Sequence, residues 1–553
     1  MADNEPELRS PTQPAAAAAS PQPAAAAPPP PPHSTGLVVT YMAVGVLVAV
    51  TQGLGMSLVS VNLRQLAGEY GATTNEAIWL LAIYMAPNVS LTLLLLKLRS
   101  QFGLRRFAEI AIIIFVITSL VQLWATDLQT ALVVRFCSGV AASPMSSLAI
   151  LYILDGLPRE RKLTVGLPVA LTAMVAGTPI AGLISPTLLN LGGAEALFMF
   201  EAGLALVALG MIIRLPLLTP TLTFNPLNLL DLVTYAFLAV GLGSLAIVTV
   251  TGRYYWWFEA PWIGALIALA IVCLAVAAVI ELNRKEPLVD VRWLSSKEIV
   301  HFTGSLLLFR LLLSEQSTGT RQFFSQLGLL NEQISGFYWV VLVSGAASGF
   351  VCSRLIQPGK VAGIHLLSLT LLAIGTGLDS QATAQTRPEQ MYFSQMLVGF
   401  ASGLFLPPAM AFGFIAALKR GPNYLLSFVI VFLTTQRLGA LFGSAVFGTF
   451  VTWREQFHSA HLVSRLVPSD PLVAARIGQL AASYKSVLTD AVQLKAEGSV
   501  LLAAQVQKQA YVLAYTDAFF VTSVIATIAV IVLVLYLAWR ALLDMVRPVQ
   551  AES

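Results

Sequence analysis

Apolar residues recur along this chain in runs of about twenty, separated by short polar connections. A run of that length crosses a ~30 Å hydrocarbon layer as one helix. The first run spans roughly 36–63. Others follow at about 77–98, 107–126, 128–155, 164–190, 194–217, 227–251, 261–282, 299–320, 334–356, 361–380, 390–418, 424–452 and 511–541. The pattern predicts fourteen transmembrane helices and an all-α integral membrane protein.

The polar connections add direction. Basic residues gather in every second one, as with Arg105 and Arg106, Arg161 and Lys162, Arg284 and Lys285, or Lys419 and Arg420, whereas the short connections between them carry only Arg64, Arg253, Arg321 and Arg387. The positive-inside bias then places both termini in the cytoplasm. Residues 1–35 are rich in Ala and Pro and lack the apolar core of a signal peptide. They are expected to be a disordered cytoplasmic tail. Residues 453–510 form a long outer, periplasmic loop in which Leu472, Val473, Ile477, Leu480, Tyr484, Val487, Leu488 and Val492 recur at helical spacing. An amphipathic helix is expected there, either a surface cap or a docking site for a partner.

Composition narrows the function. Charged residues make up 11% of the chain and hydrophobic ones 57%, where a soluble domain has about 25% charged residues. The net charge of +4 is scattered in topology clusters, so nucleic acid is not an expected partner. Cys137, Cys273 and Cys352 fall within apolar runs and read as small hydrophobes. Glu455, His458 and His461 share a three-residue spacing, a weak metal signal, and no metal site is assigned. No GxxxxGK[ST] loop is present, so ATP is not the expected energy source, and no cofactor is called for beyond an ion gradient. No nucleophile and base converge, which argues against an enzyme.

Charges inside apolar runs are expensive and mark polar paths. Arg135 lies two turns inside the 128–155 run. Glu315 and Arg310 interrupt 299–320, Glu201 stands in LFMFEAGL, and Asp517 lies near the outer end of the last run. Glu315, Glu201 and Asp517 are the candidates for proton exchange. Arg135 and Arg310 are candidates for a substrate path, with Tyr84 in its apolar wall.

Several stretches, in order, resemble one family. AIWLLAIYMAPNVSLTLLLLKL (77–98) carries Trp79, Tyr84 and Pro87. QFGLRRF (101–107) carries Gly103, Arg105 and Arg106, and RFCSGVAASPMSS (135–147) carries Arg135 and Gly139. GLPVALTAMVAGTPIAGLISP (166–186) carries Gly177, Pro179 and Gly182, and QRLGALFGSAVFGTF (436–450) opens with Gln436 and Arg437. Together they resemble the major facilitator superfamily, in particular its 14-helix drug:H+ antiporter group (EmrB/QacA-like). The family's first-helix Asp aligns on Gly55, and Gln436 and Arg437 fall on a cavity-facing helix.

The resemblance implies a 6 + 2 + 6 arrangement: a six-helix bundle at 36–217, a two-helix insert with linkers at 218–298, and a second bundle at 299–553. It implies an inner-membrane exporter of small amphipathic or aromatic toxic compounds that exchanges them for protons by alternating access. A periplasmic membrane-fusion adaptor (HlyD/EmrA-like) and an outer-membrane channel are the implied partners, beside the substrate and the lipid bilayer. An importer or uniporter of an organic solute, or a non-transporting scaffold or receptor, stays open.

Overall fold

The computed structural model describes residues 34–217, 227–284, 287–357, 359–467 and 469–546. The tail expected at 1–35 and the linker at 218–226 therefore lie almost wholly outside the described residues. Among those residues all regular structure is helical.

Helix starts follow local chemistry. Asp127 caps the helix Leu128–Asp155 by accepting from the Thr130 amide at 2.9 Å, and the Thr130 hydroxyl and amide hold this carboxyl below its ordinary range. Helix breaks fall on glycines in the left-handed region, at Gly103 and Gly421, where a side chain would be strained.

Among the described residues the long helices group into fourteen successive units. They are α1 (Thr35–Val61), α2 (Trp79–Ser90, continued by Thr92–Phe102), α3 (Leu104–Val121), α4 (Leu128–Asp155), α5 and α6, α7 (Leu229–Thr251), α8 (Pro261–Leu282), α9, α10 (Ser335–Leu355), α11 (Val361–Asp379), α12 (Tyr392–Arg420), α13 (Pro422–Ser464) and α14 (Ala491–Val546). Eleven uninterrupted segments are long and apolar enough to span a membrane. One of them, Lys162–Arg214, turns back at Gly192 and Gly193 and supplies both α5 (162–191) and α6 (194–214). Glu69 marks that turn by accepting from the Ala194 amide at 3.1 Å. The two further crossings are interrupted helices: α2 breaks at Leu91, and α9 runs as Lys297–Leu312, a π-helical turn Glu315–Thr320, and Arg321–Gln326. This is consistent with the fourteen apolar runs.

The outer faces are apolar too. On α3, Ile110, Ile113, Ile114 and Ile117 are exposed at helical spacing while Ala108, Ala111, Ile112 and Phe115 are buried. A helix apolar all round is at home in lipid. Small residues let neighbouring backbones approach. A Cβ on Gly139 of α4 would strike the Tyr84 carbonyl of α2, and Gly177 of α5 lies against Gly53 of α1.

Helices α1 to α6 pack on one another, as do α9 to α14, and α5 meets α10 and α12 across the interface. Helix α7 lies against both α2 and α13, and α8 packs on α7. An ion cluster fixes this pair. Asp231 of α7 accepts from Lys97 at 2.7 Å and from Arg284 at 2.6 Å, and Arg284 also bonds Glu281 of α8 at 2.9 Å.

Among its described residues the outer segment 453–510 is mostly helical and includes a helix where the apolar spacing placed one. Helix α13 continues to Ser464, a helix Pro471–Ala481 follows, and α14 already begins at Ala491. Gly498 lets the middle helix close on α14 near Ile477. Of the apolar set read from this stretch, Leu472, Val487 and Val492 are exposed.

Candidate functional site: a cavity between two helix sets

A cavity of about 1030 Å³ lies between the two helix sets, walled by α1, α2, α5, α7, α9, α10 and α13. Most of its lining is apolar, including Met56, Leu81, Met174, Val341 and Phe432. Five arginines line it: Arg253, Arg310, Arg321, Arg354 and Arg437. No Asp or Glu does.

The five are not equivalent. Arg253 donates to Gln322 Oε1 at 3.0 Å and to the Tyr254 hydroxyl at 2.7 Å. Arg354 stacks over Phe350 at 5.2 Å. Arg437 reaches from α13 into the other helix set, donating to the Asn88 carbonyl, to Thr92 Oγ1 at 2.8 Å and to Ser146 Oγ at 2.7 Å. Arg310 and Arg321 have no hydrogen bond or ion pair among the described residues, and the Nε of each is buried without an acceptor. Gln436 also lines the cavity, and its amide nitrogen has no partner.

Two groups of buried acids lie behind the wall. In the first helix set, Arg135 of α4 donates to the Gly55 carbonyl at 2.6 Å, and its guanidinium sits 4.5 Å from the centre of the Tyr84 ring. Glu201 of α6 points to the same spot. Its Oε1 lies 2.8 Å from where a Cβ on Gly55 would stand, so a carboxyl from α6 fills the space that a longer side chain on α1 would occupy. In the second set, Glu315 and Asp379 are buried together around Gln395.

With this geometry in hand, the chain can be set beside known proteins. Residues 45–227 match the Major Facilitator Superfamily. Over 450 residues the chain is 23% identical to the multidrug export protein EmrB of Escherichia coli (strain K12), covering 78% of this chain and 83% of that one. The EmrB of Haemophilus influenzae is 24% identical over 282 residues, 48% of this chain and 53% of its own length, so that match spans about half of the relative. The fatty acid resistance protein FarB of Neisseria gonorrhoeae is 26% identical over 43% of this chain and 46% of its own. Among solved structures, that of the human organic anion transporter MFSD10 (TETRAN) aligns with a TM-score of 0.56 at 13% identity, covering 88% of this chain and 99% of that one.

In sequence over residues 45–227, and in fold over most of its length, the chain is similar to the major facilitator superfamily. Over most of its length it is similar to the EmrB of Escherichia coli. It is a multi-pass membrane protein with a transporter fold.

The superfamily motifs occupy definite places. Pro87 and Gly139 form the α2–α4 crossing, and Gly103 turns α2 into α3. Arg105 and Arg106 are exposed beside that turn, Arg105 pairing with Glu109 at 2.9 Å. Pro179 lines the cavity, and Gly182 lies against the Tyr338 ring of α10. Trp79 faces the insert, donating to the Tyr255 hydroxyl at 3.1 Å and packing on Trp262.

Of the residues expected on a substrate path, Arg310, Gln436 and Arg437 line the cavity, while Arg135 and Tyr84 lie one layer behind it. The reason is the close α1–α4 approach, which gives Arg135 a backbone carbonyl and a ring as partners. Asp517 sits near the outer extension, accepting from Arg454 at 2.7 Å and bonding His458 at 2.6 Å. His458 thus turns away from Glu455 and His461, and among the described residues no group of three His, Cys, Asp or Glu is arranged to hold a metal. Sequence reasoning missed Asp379, Gln395, Arg253 and Arg321. Asp379 ends an apolar run, so it carried the same signal as Glu315.

Proposed function

We propose that this chain exports small amphipathic or aromatic toxic compounds, and among them chiefly organic anions, from the cytoplasm across the inner membrane in exchange for protons. The bundles at 36–217 and 299–553 would rock against each other around the cavity, with 218–298 as the insert. One observation supports the substrate class above the others: an apolar cavity lined by five arginines and no carboxylate, two of the arginines being without partners. A guanidinium whose Nε is buried without an acceptor is costly. A carboxylate or sulfonate headgroup supplies the missing acceptors in a bidentate fork, while the apolar walls take the body of the molecule. FarB's name, a fatty acid resistance protein, is in keeping with that chemistry.

Proton coupling rests on the buried acids Glu315 and Glu201; Asp517, already paired, is the weaker candidate. The helical extension at 453–510 would receive the membrane-fusion adaptor, which leads to an outer-membrane channel.

The test uses proteoliposomes of the full chain with an imposed pH gradient. Dodecanoate is expected to be carried against its own gradient, and dodecyltrimethylammonium, with the same tail and the opposite head, is not. R310A and R321A should each weaken dodecanoate binding by about tenfold, ~1.4 kcal/mol. Transport of the ammonium compound with dodecanoate ignored would overturn the substrate class.

A further inference from the structure

Behind the cavity, two carboxyl groups from different helices meet without a cation. Glu315 lies in the π turn of α9, and Asp379 is the last residue of α11; both are buried. Gln395 Nε2 of α12 donates to Glu315 Oε1 at 3.0 Å and to Asp379 Oδ2 at 2.7 Å. The Thr320 hydroxyl donates to Glu315 Oε1 at 2.7 Å, and the Ser394 hydroxyl donates to Asp379 Oδ1. The two carboxyl groups are also within hydrogen-bonding reach of each other, and Glu315 Oε2 has no donor from any other described group.

Charged and titratable groups stand on the surrounding helices. They are Arg310 and Arg321 on α9, His365 on α11, Tyr392 on α12, Arg437 and Glu455 on α13, and Tyr515 and Asp517 on α14. None of them bonds either carboxyl among the described residues.

Two ionised carboxylates this close repel strongly in a medium of low dielectric constant, and burial adds a desolvation cost to each. A carboxylate only accepts hydrogen bonds, whereas a protonated carboxyl has one O–H to donate. A single proton placed between them removes one charge and converts the repulsion into a hydrogen bond.

We infer that Glu315 and Asp379 hold one proton jointly and that this shared proton is the one exchanged during transport. The second half of the inference rests on the antiport reading above. A hydrogen-bonded link between the cavity and the pair is present. Gln316 lines the cavity and donates to the Gln395 carbonyl at 2.9 Å and to Gln395 Oε1 at 3.1 Å, so one side chain links the cavity to the amide that bridges both acids. The π turn is the kind of local widening that single functional positions in helices often use.

The test is a pH titration of the purified full chain, followed by infrared difference spectroscopy of the carboxyl C=O band in choline chloride buffer. Acids that share a proton titrate as a pair, with two separated midpoints belonging to neither residue. The wild type should show two such midpoints. E315Q and D379N should each collapse them to one intermediate midpoint, about a pH unit or more from either, and the double variant, which keeps the chain's other acids, should lack both of these midpoints.

Survival in each single variant of one wild-type midpoint, unchanged, would mean independent acids and would overturn the inference. So would loss of the wild-type midpoints when sodium chloride replaces choline chloride, which would make this a metal-cation site. S394A, which keeps both acids, should move the midpoints yet leave two, a check that does not depend on the isosteric variants folding. Gradient-driven dodecanoate transport separates the two readings. If the pair titrates as expected but E315Q and D379N still transport with the gradient, the shared proton is a fixed bond and this inference fails alone. If the wild type itself ignores the pH gradient, the antiport reading fails whatever the titration shows.

Discussion

Gly139 illustrates how much a single hydrogen in place of a side chain decides in this molecule. A Cβ here would strike the Tyr84 carbonyl and stand 2.9 Å from Pro87 Cγ; without it α4 rests on α2, and the neighbouring Asn88 amide reaches the Gly139 carbonyl at 3.4 Å. The obstacle is backbone, which cannot swing aside. G139V is therefore expected to destabilise the folded chain by roughly 1–3 kcal/mol through overpacking, seen as a lower thermal midpoint in detergent. Gly363, with open space around its Cβ position, is the control, and G363A should leave the midpoint unchanged within error. At this scale the sequence was only half legible. Arg135 stands out as a charge in an apolar run, yet its partner carbonyl and ring come from α1 and α2, so nothing local said that it faces inward to the helix set rather than to the cavity.

Among elements, the insert is held by charge as well as by packing. Asp231 is buried beneath Lys97 and Arg284, so D231N would take one carboxylate away from both cations and leave Arg284 its bond to Glu281. Breaking a buried pair from one side costs about 3–5 kcal/mol. The expected result is a thermal midpoint lowered well beyond that of R105A, whose pair with Glu109 is largely exposed and so is worth little. The crossings themselves were legible because each apolar run is long enough to span lipid and the basic residues alternate in side. What the runs did not reveal is which face of each helix points where. A helix apolar on all sides has no 3.6-residue signature to read, so the meeting of Glu315 with Asp379, 64 positions apart by number, was invisible. In the outer segment the spacing of Leu472, Val473, Ile477 and Leu480 did show a helix, Pro471–Ala481, while the extensions of α13 and α14 into this polar stretch gave no apolar run to read.

Across the whole molecule, Arg437 joins the two helix sets. Its guanidinium bonds Asn88 and Thr92 of α2 and Ser146 of α4, and any motion that opens that side of the cavity must break these bonds. R437A is expected to favour the open arrangement. A cysteine placed at Val165, which lines the cavity, should then react with a water-soluble maleimide about tenfold faster, the equivalent of ~1.4 kcal/mol. R437K tests the geometry: an ammonium keeps the charge but not the planar fork that serves several acceptors at once, so an intermediate rate is expected. An unchanged rate in R437A would show that apolar packing alone sets the closure.

Helix α14 has a mechanical consequence. Its 56 residues make a rod about 84 Å long at 1.5 Å per residue, nearly three times the ~30 Å hydrocarbon layer. Its first twenty residues or so therefore stand outside as an arm of about 30 Å, braced by the helix Pro471–Ala481. A rod pivoting in the membrane amplifies: a tilt of about ten degrees sweeps the tip of such an arm through roughly 5 Å. Small movements around the cavity are thereby broadcast as a displacement large enough for anything seated on the tip to register.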